Sequence, residues 1–488
     1  MKGRKRIYTD VEVITAQNVV EQVNAALLIH QENQTEIQYL YDFLRGEQDI
    51  QAKTKEYRTE INHKVTENRA YQIHSFYHGY VFGETIQYVR HEKSTGTSNE
   101  TDDTVSKEIT ALNAFMNEAE KDTVDKHIGS WMLTCGVGYR LTLPREDLDR
   151  IDYEDSPVRM YSMDPRSTFV VYYSGFDHHP VFSVTITMKR DGTKRFDVYT
   201  ADAMYTYEYP LNVPVESAPP MASIVPHGLG RVPIVEYDLN TERMGVFEAV
   251  IPLLNAINEF QSNRMDDIVQ FVDSMLVILG GDISEETFSN LQQYKTLALP
   301  DGVDAKYVGK QMNQNDIQSL KQDLLTAVYE ICGLPNRSGG SGRSTSDTGA
   351  ATLVRDGWED AEKRAQSMVG MFQASEREFL RMTLGILRET KDIDLRLQDI
   401  DVHFTRRNYE NISIKAQVLT MMLDNPKIDP QLAFEACGMF IDPEAAYLQS
   451  KKYAEEAGYD GSGGNQVSGM PEEADESGGP VPDTMPSV

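Results

Sequence analysis

The sequence predicts a mainly helical α+β protein of about three structural units. Three observations carry that reading. A chain of 488 residues, 40% of them hydrophobic, holds ample material for a core, at roughly 150 residues per domain. Long stretches with apolar residues at helical spacing flank one region, 158–240, where apolar and polar residues alternate with period two. Gly-, Ser- and Pro-rich punctuation separates these blocks.

The elements follow in order. EINHKVTENRAYQIHSFYHGY places Ile61, Val65, Ile73, Phe76 and Tyr77 near helical spacing, and Gly79 and Gly83 break the pattern before the strand-like TIQYVR. The polar run Ser94–Asp103 reads as a surface loop, and Val105–Thr134 as one helix leading into the strand CGVGYRLTL. In the β-rich region, VFSVTITMKR alternates Val184, Ile186 and Met188 against Thr185 and Thr187. Asp191–Gly192 then turns the chain into TKRFDVYTA, a hairpin signature. The proline-rich YPLNVPVESAPP is expected to end the sheet.

A long helix is expected from Gly245 to about Val272, carrying Val250, Leu254, Ile257, Ile268 and Val272. Its other faces are crowded with Asn255, Asn258, Gln261, Asn263, Asp266 and Asp267, and Pro252 falls in its first turns. Strands SMLVILG and AKYVGK are expected within 275–312, a second helix over Asn315–Cys332, and a Gly/Ser loop at GLPNRSGGSGRSTSD. The helical pattern from Thr348 to about Glu389 would reach roughly 60 Å, too long for one small globule. DIDVHFTRR reads as a strand and 409–457 as short helices, with Asp429 and Asp442 as N-caps before proline. From Gly458 the chain is rich in Gly, Pro and acid, with no Lys or Arg after Lys452, and is expected to be disordered.

Composition and motifs exclude most chemistry. Asp and Glu number 76 against 47 Lys and Arg, a formal charge of −29, so the surface as a whole should not cling to nucleic acid. The densest apolar run, MLVILGG from Met275, is far short of the ~20 residues of a membrane span. The start, MKGRKRIYTDVEV, is basic but lacks an apolar segment, so no secretory signal is read. Cys135, Cys332 and Cys437 lie far apart and form neither a disulfide framework nor a zinc site. The expectation is a large, acidic, soluble intracellular protein. GGSGRST (339–345) superficially resembles a phosphate-binding loop, but Arg337 stands at its first Gly position, Arg343 replaces the Lys, and a helix precedes it. Adjacent His178 and His179 would point to opposite faces of a strand. No HExxH, calcium loop or GxSxG is present. Asp266 and Asp267, neighbours on a helix, do not face one point and read as a solvated or lumen-facing acidic band. No catalytic group, metal site or cofactor is predicted.

Several segments together resemble the portal proteins of tailed bacteriophages, the head-to-tail connectors of siphophages of Gram-positive hosts. The most specific is HGLGRVPIVEYDLNTERMGVFEAVIPLLNAINEFQSNRMDDIVQFVDSMLVILG (His227–Gly280), with the order G-x-x-P-[IV]-x-x-[FY]-x-x-N-x-E-[RK]-x-G before an Asn- and Ser-containing helix. FYHGYVFGETIQY (Phe76–Tyr88), MDPRSTFVVYYS (Met163–Ser174) and IDVHFTRRNYEN (Ile400–Asn411) match in the same order, so the resemblance spans roughly 35 to 457. One departure is SDTGAA (Ser346–Ala351), where the family leads one to expect SG-x-A; it blurs the loop's register.

The resemblance implies a portal-type subunit, assembled as a ring of about twelve around an axial channel that conducts double-stranded DNA during packaging and ejection. It implies an N-terminal α+β wing (1–244), a stem helix (245–274), a clip (275–312) and a second stem helix (313–332). A tunnel loop (333–347), the long helix with a returning wing strand (348–408), a helical crown (409–457) and a disordered acidic tail (458–488) complete the division. Asn336, Arg337, Ser338, Arg343 and Ser344 would then face DNA from the tunnel loop, and Asn258, Gln261 and Asp266 from the stem. Asp282, Glu285 and Glu286 would meet partners at the clip. The implied partners are further copies of the chain, the terminase large subunit, a head–tail adaptor, and the major capsid and scaffolding proteins, with no membrane. The implied location is the capsid vertex of a virion assembled in the host cytoplasm.

Twelve copies would carry a formal −348, twelve times −29, and an acidic wall lets DNA slide where dense Arg and Lys would hold it; solubility alone accounts for acidity equally well. The amides on 245–272 have a plainer reading too, as packing against neighbouring subunits. Leu353, Trp358, Phe372 and Phe379 are apolar positions that one subunit is expected to leave for another. The competing classes are a non-portal oligomeric structural or adaptor protein of a virion, and a DNA-processing enzyme, which would need a metal–carboxylate cluster or a Walker lysine.

Overall fold

Period-two alternation between 168 and 226 builds an antiparallel meander of Thr168–Tyr173 (β5), Pro180–Met188 (β6), Lys194–Tyr199 (β7), Ala203–Tyr209 (β8) and Met221–Pro226 (β9). Ile7–Thr9 (β1) joins it in parallel beside β5. The expected turn at Asp191–Gly192 connects β6 to β7. Gly192 has φ +85°, open to glycine, and the Thr193 amide donates to Asp191 Oδ1 at 2.9 Å. Phe169, Val171, Phe182, Val184, Phe196 and Val198, each pair two residues apart, bury one face beneath Val19, Val23 and Ala26 of the helix Val19–Leu44 (α1). The sheet does not end at the proline-rich stretch, because β9 follows it and pairs with β8.

The computed structural model describes residues 3–57, 59–91, 100–145, 155–209, 221–272, 275–279, 304–308, 314–335, 358–404, 412–440 and 443–456. The chain divides into two units, Met1–Glu410 and Asn411–Val488.

In the first unit, a larger core gathers around Val137–Pro144 (β3), which pairs with Val158–Met163 (β4) and Ile234–Asp238 (β10). The helix expected from residue 60 begins at Arg69 and runs to Val81 (α2), with Asn68 Oδ1 accepting the Tyr71 amide at 3.2 Å. The single helix expected over 105–134 is two, Glu100–Glu118 (α3) and Lys121–Cys135 (α4). Glu120, at φ +56°, reverses the chain so that α3 packs on Gln87–Arg90 (β2) and α4 on α1, α2 and β3. Glu100–Asp103, expected in a loop, are the first turn of α3. Ile400–His403 (β13) returns to pair with β2.

The long helix is Trp358–Lys391 (α7), 34 residues or about 51 Å. It is a core element. Phe372 and Phe379 are fully buried, with the Phe372 ring 4.7 Å from that of Tyr237. These two were expected to wait for a neighbouring subunit, and the chain's own core consumes them. Trp358 packs beside Phe76 and Tyr80, while Leu353 lies outside the described residues.

Beyond β10, Ile251–Val272 (α5) packs along Gln314–Cys332 (α6). Pro252 stands in the first turn, where its missing N–H costs nothing. Met275–Leu279 (β11) and Asp304–Val308 (β12) pair antiparallel, with Met275 opposite Val308, as the two strand signals in 275–312 led one to expect. The second unit holds three short helices, Ile412–Leu423 (α8), Pro430–Cys437 (α9) and Pro443–Glu456 (α10). Asp429 caps α9 by accepting the Gln431 amide at 2.9 Å; Asp442 lies outside the described residues.

Candidate functional site

The polar face of α5 carries Asn258, Gln261 and Asp266, which the family resemblance implies would face a channel. Its residues Asn258, Ser262 and Asp266 stand at i, i+4 and i+8, one above another on one side of the helix. An irregular segment, 62–68, lies along them. Asn258 Oδ1 accepts the Glu67 amide at 2.8 Å, Ser262 Oγ the Val65 amide at 2.9 Å, and Asp266 Oδ1 the His63 amide at 2.7 Å. The match is geometric. Four helical residues rise about 6.0 Å and two extended residues about 6.6 Å, so every second amide of an antiparallel strap meets one side chain per turn. This pairing also stops the segment from joining α2, since its amides are directed outward to another helix.

The ends of the strap are fixed by charge and amide bonds. Asp266, 1% exposed, takes Lys55 Nζ at 2.5 Å and Lys53 Nζ at 3.3 Å, with His63 Nδ1 2.8 Å away. Burial alone would raise its carboxyl. The hydrogen bonds from Lys55, the His63 amide and ring, and Lys53 outweigh burial and hold it below the ordinary range. Asn258, wholly buried, donates to Gln48 Oε1. Gln261 donates to Glu67 Oε2 at 2.8 Å, and Lys321 of α6 reaches the same oxygen at 2.9 Å.

Within this chain, Asn258 and Asp266 are buried and Gln261 is half-buried. They bind residues 48–67 of their own chain. The physical reason is that an isolated polar helix face is satisfied equally by water or by backbone amides, and the strap supplies amides at matching spacing. Asp282, Glu285 and Glu286, and Asn336, Arg337, Ser338, Arg343 and Ser344, lie outside the described residues.

The motif before α5 builds a junction. Asn240 Oδ1 accepts the Met244 amide at 2.9 Å and its Nδ2 donates to the Met244 carbonyl at 2.8 Å, closing a tight turn. Arg243, at φ +57°, sends its guanidinium to Glu236 Oε1 at 2.6 Å and Asp238 Oδ1 at 2.8 Å. Gly245 passes so close to α4 that a Cβ would lie 2.2 Å from the Thr134 carbonyl oxygen. Its amide donates to Glu248 Oε2 at 3.0 Å, and Arg4 Nη2 bonds Glu248 Oε1 at 2.7 Å. The motif thus aims α5 from the core.

A second charged centre escaped the sequence reading. Arg140 in β3 and Glu376 in α7, both fully buried, meet at 2.9 Å, and Lys121 Nζ lies 2.9 Å from Glu376. Asp125 pairs with both cations, so two positive and two negative groups balance. Tyr88 and Tyr237 hydroxyls donate to Glu376 at 2.6 and 2.7 Å. Burial would raise the Glu376 carboxyl, yet Arg140, Lys121 and the tyrosines pull it down to about 2. A signal was present. Glu376 sits four residues after Phe372 and three before Phe379, a charge on an apolar helix stripe.

None of these groups is arranged for catalysis. Burial pushes the Cys135 and Cys332 thiols up to about 12, so neither is a ready nucleophile. His178 lies in a turn at φ +45° with its Nδ1 3.2 Å from the Tyr173 carbonyl, and His179 pairs with Asp177. Among the described residues no group of three or more His, Cys, Asp or Glu is placed to hold a metal, and no helix is long and apolar enough to cross a membrane.

No curated protein matches the chain. Among solved structures, a chain from the neck of an empty GTA particle, computed with C6 symmetry, is 10% identical at a TM-score of 0.46, covering 76% of this chain and 90% of that one. A chain from the neck of a native GTA particle, computed with C12 symmetry, is also 10% identical, at a TM-score of 0.44, covering 77% and 91%. A family profile described as phage portal protein, SPP1 Gp6-like, matches residues 26–460. That span takes in the larger core, the strap, α5 and all three helices of the second unit, and the chain belongs to this phage portal family.

Proposed function

We propose that this chain assembles into a ring of about twelve copies at one capsid vertex and that the ring is the conduit for double-stranded DNA during packaging and ejection. Family membership over residues 26–460 is the observation that carries this reading. In it, residues 1–244 with the long helix and β13 are the wing, α5 and α6 the stem, 275–312 the clip, 333–347 the tunnel loop and 409–457 the crown. The strap on α5 supports the stem assignment, because a helix that must keep one tilt benefits from a second fastening along its length. The clip would dock the terminase large subunit and later the head–tail adaptor, with Asp282, Glu285 and Glu286 as contact candidates. Arg337 and Arg343, with Asn336, Ser338 and Ser344, would approach DNA phosphates without reading bases. The wing and crown would face capsid and scaffolding proteins inside the virion. The chain itself would supply no catalysis; work would come from a separate ATPase.

Electron microscopy of the purified protein tests the reading. Rings with a central hole, and a native mass near 660 kDa from twelve chains of 55.2 kDa, are expected. A protein that remains monomeric at micromolar concentration would overturn it.

A further inference from the structure

Arg377 on α7 and Arg396 line one open cleft of about 430 Å³, together with Leu397 and Gln398. Both arginines are exposed, and among the described residues neither guanidinium group has a hydrogen-bond or ion-pair partner. Nearby cations are already committed. Arg381 pairs with Glu378, Arg231 reaches the same carboxylate at 3.5 Å, and Arg388 holds Asp394 at 2.9 Å. Two arginines with free guanidinium groups lining one hollow are conspicuous in a chain of 76 acidic and 47 basic residues.

From these two unpaired cations in one cleft we infer that the Arg377–Arg396 cleft receives carboxylates of a second copy of this chain. The inference rests on the ring reading and names one of its contacts. A chain of formal charge −29 repels its own copies, so a head-to-tail interface that closes into a ring needs cations left unpaired in the free subunit. Guanidinium groups suit this because their planar forks bind carboxylates bidentately. A DNA backbone fits the cleft less well. Glu378, Asp394 and Asp401 stand close along the chain, and a polyanion running across the cleft would bring successive phosphates against them, where a single partner carboxylate need meet only the two guanidinium groups.

The test compares the full chain with Arg377→Glu/Arg396→Glu and with Arg377→Lys/Arg396→Lys by native mass spectrometry and light scattering across a concentration series. The charge reversal should raise the concentration needed for ring formation at least about tenfold, and the lysine pair should have a smaller effect. Thermal melts of the monomeric fraction should be unchanged, because both side chains are exposed. A reversed variant that assembles like the wild type overturns the inference and leaves the ring reading standing. A reversed variant that assembles normally but loses binding to a linear DNA duplex also overturns it, in favour of nucleic acid. A wild-type chain that never assembles overturns both.

Discussion

Glu376→Gln is the sharpest probe of what holds the first unit together. The substitution keeps shape and removes one charge from a centre where Arg140 and Lys121 are balanced by Glu376 and Asp125, all four at most 3% exposed. Two estimates of the cost agree. Removing one partner of a buried ion pair costs about 3–5 kcal/mol, because the opposite charge stays buried and uncompensated. A carboxyl that titrates at about 2 instead of its ordinary 4.5 contributes on the order of 3 kcal/mol at neutral pH. Because its folded value is depressed, that contribution is present above pH 4.5 and is lost as pH falls toward 2. The variant should therefore unfold at a lower urea concentration at pH 7, by on the order of 1 M, and the gap should close between pH 4.5 and 2. A double change, Glu376→Leu with Arg140→Met, restores balance around Lys121 and Asp125 and should cost less than the sum of its singles. If Glu376→Gln unfolds within about 1 kcal/mol of the wild type, charge balance is not what holds this centre.

Three further outcomes are expected. Ser262→Ala should abolish hydrogen-exchange protection at the Val65 amide, and Asn258→Ala at Glu67, while protection within α5 persists; unchanged exchange at 65 and 67 would show that the strap is held some other way. Burial lowers His30 and His74 to about 4 from 6.5, so the unfolded chain binds more protons between those values. Stability should thus fall as pH drops from 6.5 to 4, by on the order of 3 kcal/mol per histidine at most, and His74→Gln should flatten the denaturation profile in that window. Gly245→Ala should destabilise by about 2 kcal/mol or more, since the new Cβ meets the Thr134 backbone oxygen at 2.2 Å; a melt unchanged from the wild type would mean the junction yields more easily than its contacts imply.

Periodicity along the chain was enough to locate most elements. The hairpin at Asp191–Gly192, the paired strands at 275–279 and 304–308, α5, α6 and the three short helices all lie where local pattern put them. Errors fell where local pattern is silent. Residues 60–68 carry apolar residues at helical spacing, yet their amides are taken by Asn258, Ser262 and Asp266, about 200 residues away. The break at Glu120 is a single left-handed residue with no glycine to announce it. β9 was hidden behind a proline-rich stretch that read as a terminator.

By itself, the sequence determined the fold class, the acidic character and the family, because composition, periodicity and motif order are properties of the chain read in line. Which polar faces are free was decided only by tertiary structure. Asn258 and Asp266 looked like a surface and are buried, Phe372 and Phe379 looked like an interface and are core, and Arg140 and Glu376 find each other across 236 residues. A side chain's hydrogen-bonding capacity is local, but whether water, a neighbouring copy or its own chain satisfies it depends on which distant backbone the fold brings alongside.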